Sequence, residues 1–185
     1  NKWGKVSWEH FMNIYNSSEA AQAGVQLLTA YDLFRDGEFP GDPFWKDIVV
    51  NYSVLDRRDL SRMGLPEYYT KAISFGTIVA DPAYYLTWLK QKLRSLGVIF
   101  TQRHLANMSE LNSGGYSAIV NCAGMGAARL VADNTMYPIR GQVVRIKAPM
   151  AKSCYFFDES YMIPNMETLV CGGTAQKGDW NENNS

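Results

Sequence analysis

Gly124 and Gly126, inside the stretch SAIVNCAGMGAARL from Ser117 to Leu130, have a spacing that comes close to a recognisable chemistry. They match the first two glycines of G-x-G-x-x-G, the turn whose backbone N–H groups receive a dinucleotide's pyrophosphate at a helix N-terminus. The setting suits that role: Ala118, Ile119 and Val120 read as a buried strand, and Ala127 to Val131 as a helix start. The pattern is incomplete. Arg129 occupies the third glycine's place, and the nearest acid, Asp133, comes too soon to hold a ribose about 20 residues on. On these residues alone, a close-packed strand-to-helix corner is favoured over a pyrophosphate loop.

The rest of the inventory is notable for what it lacks. His10 and His104 are the only histidines, and His10 falls on an amphipathic helix where a surface or packing role is the simpler reading. No G-x-S-x-G elbow, H-E-x-x-H pair or G-K-[ST] loop occurs. Cys122, Cys154 and Cys171 are too far apart for a C-x-x-C motif, and three is an odd number for a disulfide framework, so a reducing compartment fits better. The sequons at Asn16, Asn51, Asn107 and Asn183 matter only for a secreted protein, and the charged DRRDL cluster reads as a solvated face. No metal site is expected. An enzyme built on this inventory takes its chemistry from a cofactor.

Bulk composition narrows the partners. Lys+Arg and Asp+Glu balance at 18 each, which leaves no broad basic face for nucleic acid. No apolar run approaches the roughly 20 residues of a membrane span. The 185 residues, 46% of them hydrophobic, suit one domain or parts of two. A start at Asn1 and a polar close, GDWNENNS, are expected of a fragment.

The elements that must position these residues can be read in order. Ser7 is an expected N-cap for a helix carrying Trp8, Phe11, Met12 and Tyr15 on one face. VQLLTAYDLF and IVVNYSVLD read as strands, with a loop at RDGEFPGDP between them and a short helix or turn at DRRDLSRMG after them. KAISFGTIVAD reads as a strand, and Asp81 with Pro82 opens a helix that Gly97 closes. VIFTQRHL is the next expected strand, followed after the glycine turn by QVVRIKAP, YMIP and TLVCGG. The order implies an α/β layer joined to a mostly antiparallel sheet.

Seven stretches, taken together and in order, resemble the D-amino-acid oxidase and D-aspartate oxidase family: AGVQLLTAYDLF, DPAYYLTWLKQKL, GVIFTQRHL, AIVNCAGMGA, YPIRGQVVRIKAP, YMIP and GGTAQKGDWN. They span nearly the whole chain. The resemblance implies part of an FAD-binding, Rossmann-like domain over approximately residues 81–139. It also implies a mostly antiparallel β substrate domain over approximately 1–80 and 140–185. It implies FAD as cofactor, contacted at His104, Leu105, Ala123 and Gly124, with the backbone of Leu105 reading the adenine edge. The family often has a basic residue where His104 stands. In the substrate domain Tyr161 matches a tyrosine whose hydroxyl bonds the substrate carboxylate, and Phe157 stands where a second lid tyrosine is usual.

The implied reaction is oxidative deamination of a D-amino acid to a 2-oxo acid. It releases ammonia, and O2 leaves as hydrogen peroxide. No protein base is required, which matches the missing triad. The partners are therefore a small D-amino acid and O2, with homo-oligomerisation open; the family implies a peroxisomal or cytoplasmic location. Ala175 after GGT cannot pair an acidic side chain as the basic residue of D-aspartate oxidases does, so neutral D-amino acids are expected, unless Lys152 or Lys177 substitutes. The alternatives are a D-aspartate oxidase, a glycine or sarcosine oxidase, and a truncated, non-catalytic fragment. The fragment alone is expected to be inactive.

Overall fold

The computed structural model describes residues 2–183. Asn1 and the last two residues, which complete the Asn183 sequon, lie outside that range. The chain divides into two compact units: one runs up to Gly97 and resumes over Val143–Thr174, and the other comprises Val98–Gln142 with the residues from Ala175 on.

The first unit is a seven-stranded sheet with helices. Helix α1 (Lys2–Tyr15) leads to strands β1 (Val25–Arg35) and β2 (Val50–Asp56), helix α2 (Arg57–Arg62), strand β3 (Tyr69–Ala80) and helix α3 (Pro82–Ser95). The expected cap at Ser7 is not one, because α1 begins five residues earlier and Ser7 lies inside it. The caps of α2 and α3 do form. Asp56 accepts from the N–H groups of Arg58 and Asp59, and Asp81 accepts from Ala83 with Pro82 at the first position. Gly64 and Gly97 close these helices at φ +72° and +86°, a region costly for residues with a Cβ.

Strands of both units follow. Numbered along the chain they are β4 (Ile139–Arg140), β5 (Val143–Ile146), β6 (Ser153–Phe157), β7 (Ser160–Pro164), β8 (Leu169–Gly172) and β9 (Gln176–Lys177). The large sheet has the order β2-β3-β1-β6-β7-β8-β5, and only β1 with β6 is parallel. Strand β6 was not expected from the sequence. Its residues read as connection, but Tyr155 and Phe157 have a buried face to fill.

Opposed residues share a face, so two faces can be read from the register. One carries Val25, Ile78 and Ala80 under α1 and α3, with Trp88 and Ile14 buried there. Further along it carries Leu33, Ala72, Tyr155 and Phe157 beside Leu60 of α2. The other face bears Ala30, Cys154, Phe156 and Ile163. Every buried residue among those described belongs to this unit.

The second unit has little regular structure. The expected strands at 98–105 and 117–120 form no ladder and carry no regular structure. A 3₁₀ turn covers Met108–Gly114, another covers Gly124–Gly126, and helix α4 (Ala127–Leu130) is a single turn. Strands β4 and β9 pair as a two-residue antiparallel ladder. Arg140 ties this corner together, donating to Gln142 and to the carbonyl of Asn183 and lying 3.6 Å from Asp179. Among the described residues no helix is long and apolar enough to cross a membrane.

Candidate functional site

The glycine turn that opened the question is built as a corner. Asn121 accepts from the N–H of Ala123, Gly124 adopts φ +54°, and the chain tightens into α4. Beside it lies a concavity of about 410 Å³ wholly within the second unit. His104, Leu105 and Ala123 line it, with Gly126 and Arg129. Three residues expected at the cofactor thus border one hollow, although 18 positions separate Leu105 from Ala123. Gly124 is next to Ala123 in the turn but does not line the hollow; its left-handed backbone positions its neighbours instead.

Leu105 lies in chain that makes no ladder, so its backbone N–H and C=O are not engaged in a sheet. Arg129, met in the sequence as the residue that breaks the fingerprint, stands at the wall of the hollow. A planar cation in place of a glycine was the signal that could have nominated it. A purine-bearing, anionic group is chemically compatible with this mixture of small apolar walls, free backbone and arginine.

The residues expected on the substrate side belong to the first unit. Tyr161 on β7 is opposite Phe156 on β6 and Gly172 on β8, so all three share a face. A Cβ at Gly172 would overlap the Tyr161 ring, so the ring lies across that glycine. The Tyr161 hydroxyl has no hydrogen-bond partner among the described residues. A phenol on a partly buried face with an unused donor is suited to a ligand's oxygen.

Phe157 is placed differently from the expectation that it lines the same site. It is opposite Ser160, one step from the Phe156–Tyr161 pair, and points to the other face. There it packs with Leu33, Leu60 and Tyr69. The reason is the two-residue turn at Asp158 and Glu159: a spacing of four across this hairpin puts 157 and 161 on opposite faces. Phe156 is the aromatic that accompanies Tyr161.

The hairpin tip is pinned. Asp158, at φ +51°, accepts from Arg35 Nε and Nη2, both at 2.9 Å, and from the Tyr69 hydroxyl at 3.3 Å. The Arg35 guanidinium lies 4.9 Å from the centre of the Tyr68 ring. The Arg35 bond holds the Asp158 carboxyl below its ordinary range, while burial first, and then the charge of Asp158, push the Tyr69 phenol up to about 12.

Two charges on the Tyr161 face were not nominated from sequence. Asp32 pairs with Phe156 in the parallel register, and burial raises its pKa. Arg145 falls two residues from Val143, which is opposite Gly172. Each is a charge inside an otherwise apolar alternation, which is the signal that marked them. Lys177 belongs to the second unit, with its ammonium 4.8 Å from the centre of the Tyr137 ring. His10 on α1 meets the hydroxyl of Tyr85 at 3.1 Å, a packing role on that helix. The three cysteines are free, and no cluster of metal-ligating side chains occurs among the described residues.

Comparison with known proteins adds to this geometry. Residues 16–185 match the family model described as FAD dependent oxidoreductase. The chain is 31% identical to the human D-aspartate oxidase, over 97% of its own length and 52% of that protein's. It is 35% identical to the D-amino-acid oxidase of Dictyostelium discoideum, over 98% of this chain and 51% of that one. It is 29% identical to the D-amino-acid oxidase of Rubrobacter xylanophilus, over 96% and 53% respectively. The chain therefore spans about half the length of these relatives.

Proposed function

This chain belongs to the FAD dependent oxidoreductase family, and on that premise we propose that the full-length protein oxidises D-amino acids with FAD and O2. The products are a 2-oxo acid, ammonia and hydrogen peroxide. The first unit serves the substrate side and the second the cofactor side. The observation that carries the reading is the unpartnered hydroxyl of Tyr161, presented on a sheet face beside Phe156 and Ile163.

The residues divide the work by chemistry. The Tyr161 hydroxyl donates to the substrate's α-carboxylate and so orients the Cα–H bond. Phe156 and Ile163 give that face an apolar character that disfavours water. FAD, when bound, supplies the two-electron acceptor. His104, Leu105, Ala123 and the turn at Gly124 would hold it. No side chain of this chain is asked to act as a base.

Neutral D-amino acids are the proposed substrates. Ala175 offers no cation, Lys177 is engaged with Tyr137, and Asp32 would oppose a second carboxylate on the Tyr161 face. Arg145 favours a second reading, as a D-aspartate oxidase, because it shares that face and its guanidinium suits a carboxylate. The test is peroxide release by the full-length protein supplied with D-alanine, D-aspartate or sarcosine. D-alanine should give the highest kcat/KM. A preference for D-aspartate that Arg145→Gln abolishes selects the second reading, and turnover of sarcosine alone sinks both.

A further inference from the structure

The hollow beside the glycine turn carries an uneven charge. Two arginines and one histidine border it, yet only one arginine is neutralised. Arg103 Nη2 meets Glu110 at 3.0 Å, and Glu110 also accepts from the N–H groups of Ala106 and Asn107. Those backbone bonds, ahead of Arg103, hold the Glu110 carboxyl below its ordinary range. Arg129 has no acidic partner among the described residues; Asp133, four positions on, accepts from Thr135 instead. The opposite wall is small and apolar, with Leu105, Ala123 and Leu130. One cation without an ion pair among the described residues therefore stands at the edge of an apolar slot.

We infer that Arg129 supplies a cationic hold on a phosphate of the bound adenine dinucleotide, an inference that rests on the FAD reading given above. The residue that spoils the glycine fingerprint in sequence would then replace part of its work: a guanidinium pairs a phosphate where backbone N–H groups are too few. The contact is with the phosphate charge and not with the purine face, so a lysine can stand in for it.

The full-length protein, stripped of flavin and titrated with FAD, reads this directly through quenching of flavin fluorescence. Arg129→Gln should weaken FAD binding by about tenfold, the scale of one charge-assisted hydrogen bond. It should also flatten the dependence of affinity on salt. Arg129→Lys should recover most of the affinity, and Arg62→Gln on α2 should leave both quantities alone. Unchanged affinity and salt dependence in Arg129→Gln overturns the inference while leaving the FAD reading standing. So does an Arg129→Lys variant as weak as Arg129→Gln. If the unaltered protein takes up no FAD, the reading itself falls, and this inference with it.

Discussion

Leu60, at 1% exposure, and Val120, at 81%, are both aliphatic residues, and they stand for the two units they belong to. Leu60 packs with Leu33, Tyr69 and Ala72, and its unit contains every buried side chain among the described residues. Val120 belongs to a unit that buries none, although Ile119, Val120 and Ile99 are as β-prone as anything in the large sheet. The difference lies in partners. Strands β1 and β3 pair over eleven positions, whereas residues 117–120 meet no strand. A β-propensity is a readiness to fit neighbours, and it yields a strand only where neighbours exist.

The sharpest way to break this contrast is through the cofactor. The second unit has the hollow but neither a complete glycine fingerprint nor a core to hold its walls. This chain, purified and desalted, should therefore keep no flavin. A stable visible flavin band near one equivalent would show that the second unit is sufficient after all.

Mutational stability gives the next largest effect. Leu60→Ala should destabilise the protein by about 2–5 kcal/mol through lost contacts and a cavity. Val120→Ala in this same chain should stay within about 0.5 kcal/mol, as exposed sites do. In the full-length protein the two should move closer together if 117–120 gains strand partners there. Denaturant unfolding of both variants in both lengths measures this, and an unchanged gap in the longer protein would mean that the second unit is intrinsically loose.

The same contrast explains what could be read in advance. Strands β1, β2 and β3 and helices α2 and α3 were legible because alternation, the Asp81 cap, Pro82 and the closing glycines act locally. Helix α1 was read short because an interior serine looks like a cap until the turn before it is known to be helical. Strand β6 and the face of Phe157 depended on a hairpin register that one residue reverses. His104, Leu105 and Ala123, distant in sequence, line one hollow. Arg129 was read only as a missing glycine, since its lack of an acidic partner is a fact of three dimensions.

Within the first unit, Tyr161→Phe in the full-length protein should weaken substrate binding by about 1.5–3 kcal/mol, one hydrogen bond to a charged group. It should raise KM more than it lowers kcat and leave folding stability nearly unchanged, because no protein partner loses a bond. Phe157→Ala should do the reverse, costing stability with little effect on KM. Equal KM values for Tyr161→Phe and the unaltered enzyme would remove Tyr161 from the site. Gly172→Ala sharpens the point, since its methyl must displace the Tyr161 ring. Its KM should rise as well.

The smallest effect concerns the hairpin clamp, and its sign follows from charge. The Arg35 hydrogen bond, ahead of their mutual attraction, lowers the pKa of Asp158 from its ordinary 3.8 in the folded state. A carboxyl with a depressed folded value stabilises the fold above its unfolded pKa and loses that contribution as pH falls through the folded one. The clamp should thus be at full strength from about pH 5 upwards and fade below pH 4. Both partners are exposed, so the contribution is modest and screened by salt. Melting temperatures of the full-length protein and its Asp158→Asn variant should differ at neutral pH and converge in acid. Because Asp158 is three residues from Tyr161, the variant should also raise KM slightly at neutral pH, by loosening the turn that sets which face the tyrosine occupies. Melting curves that coincide at every pH would leave the β6–β7 register to be explained by the ladder bonds and the packing of Phe157 alone.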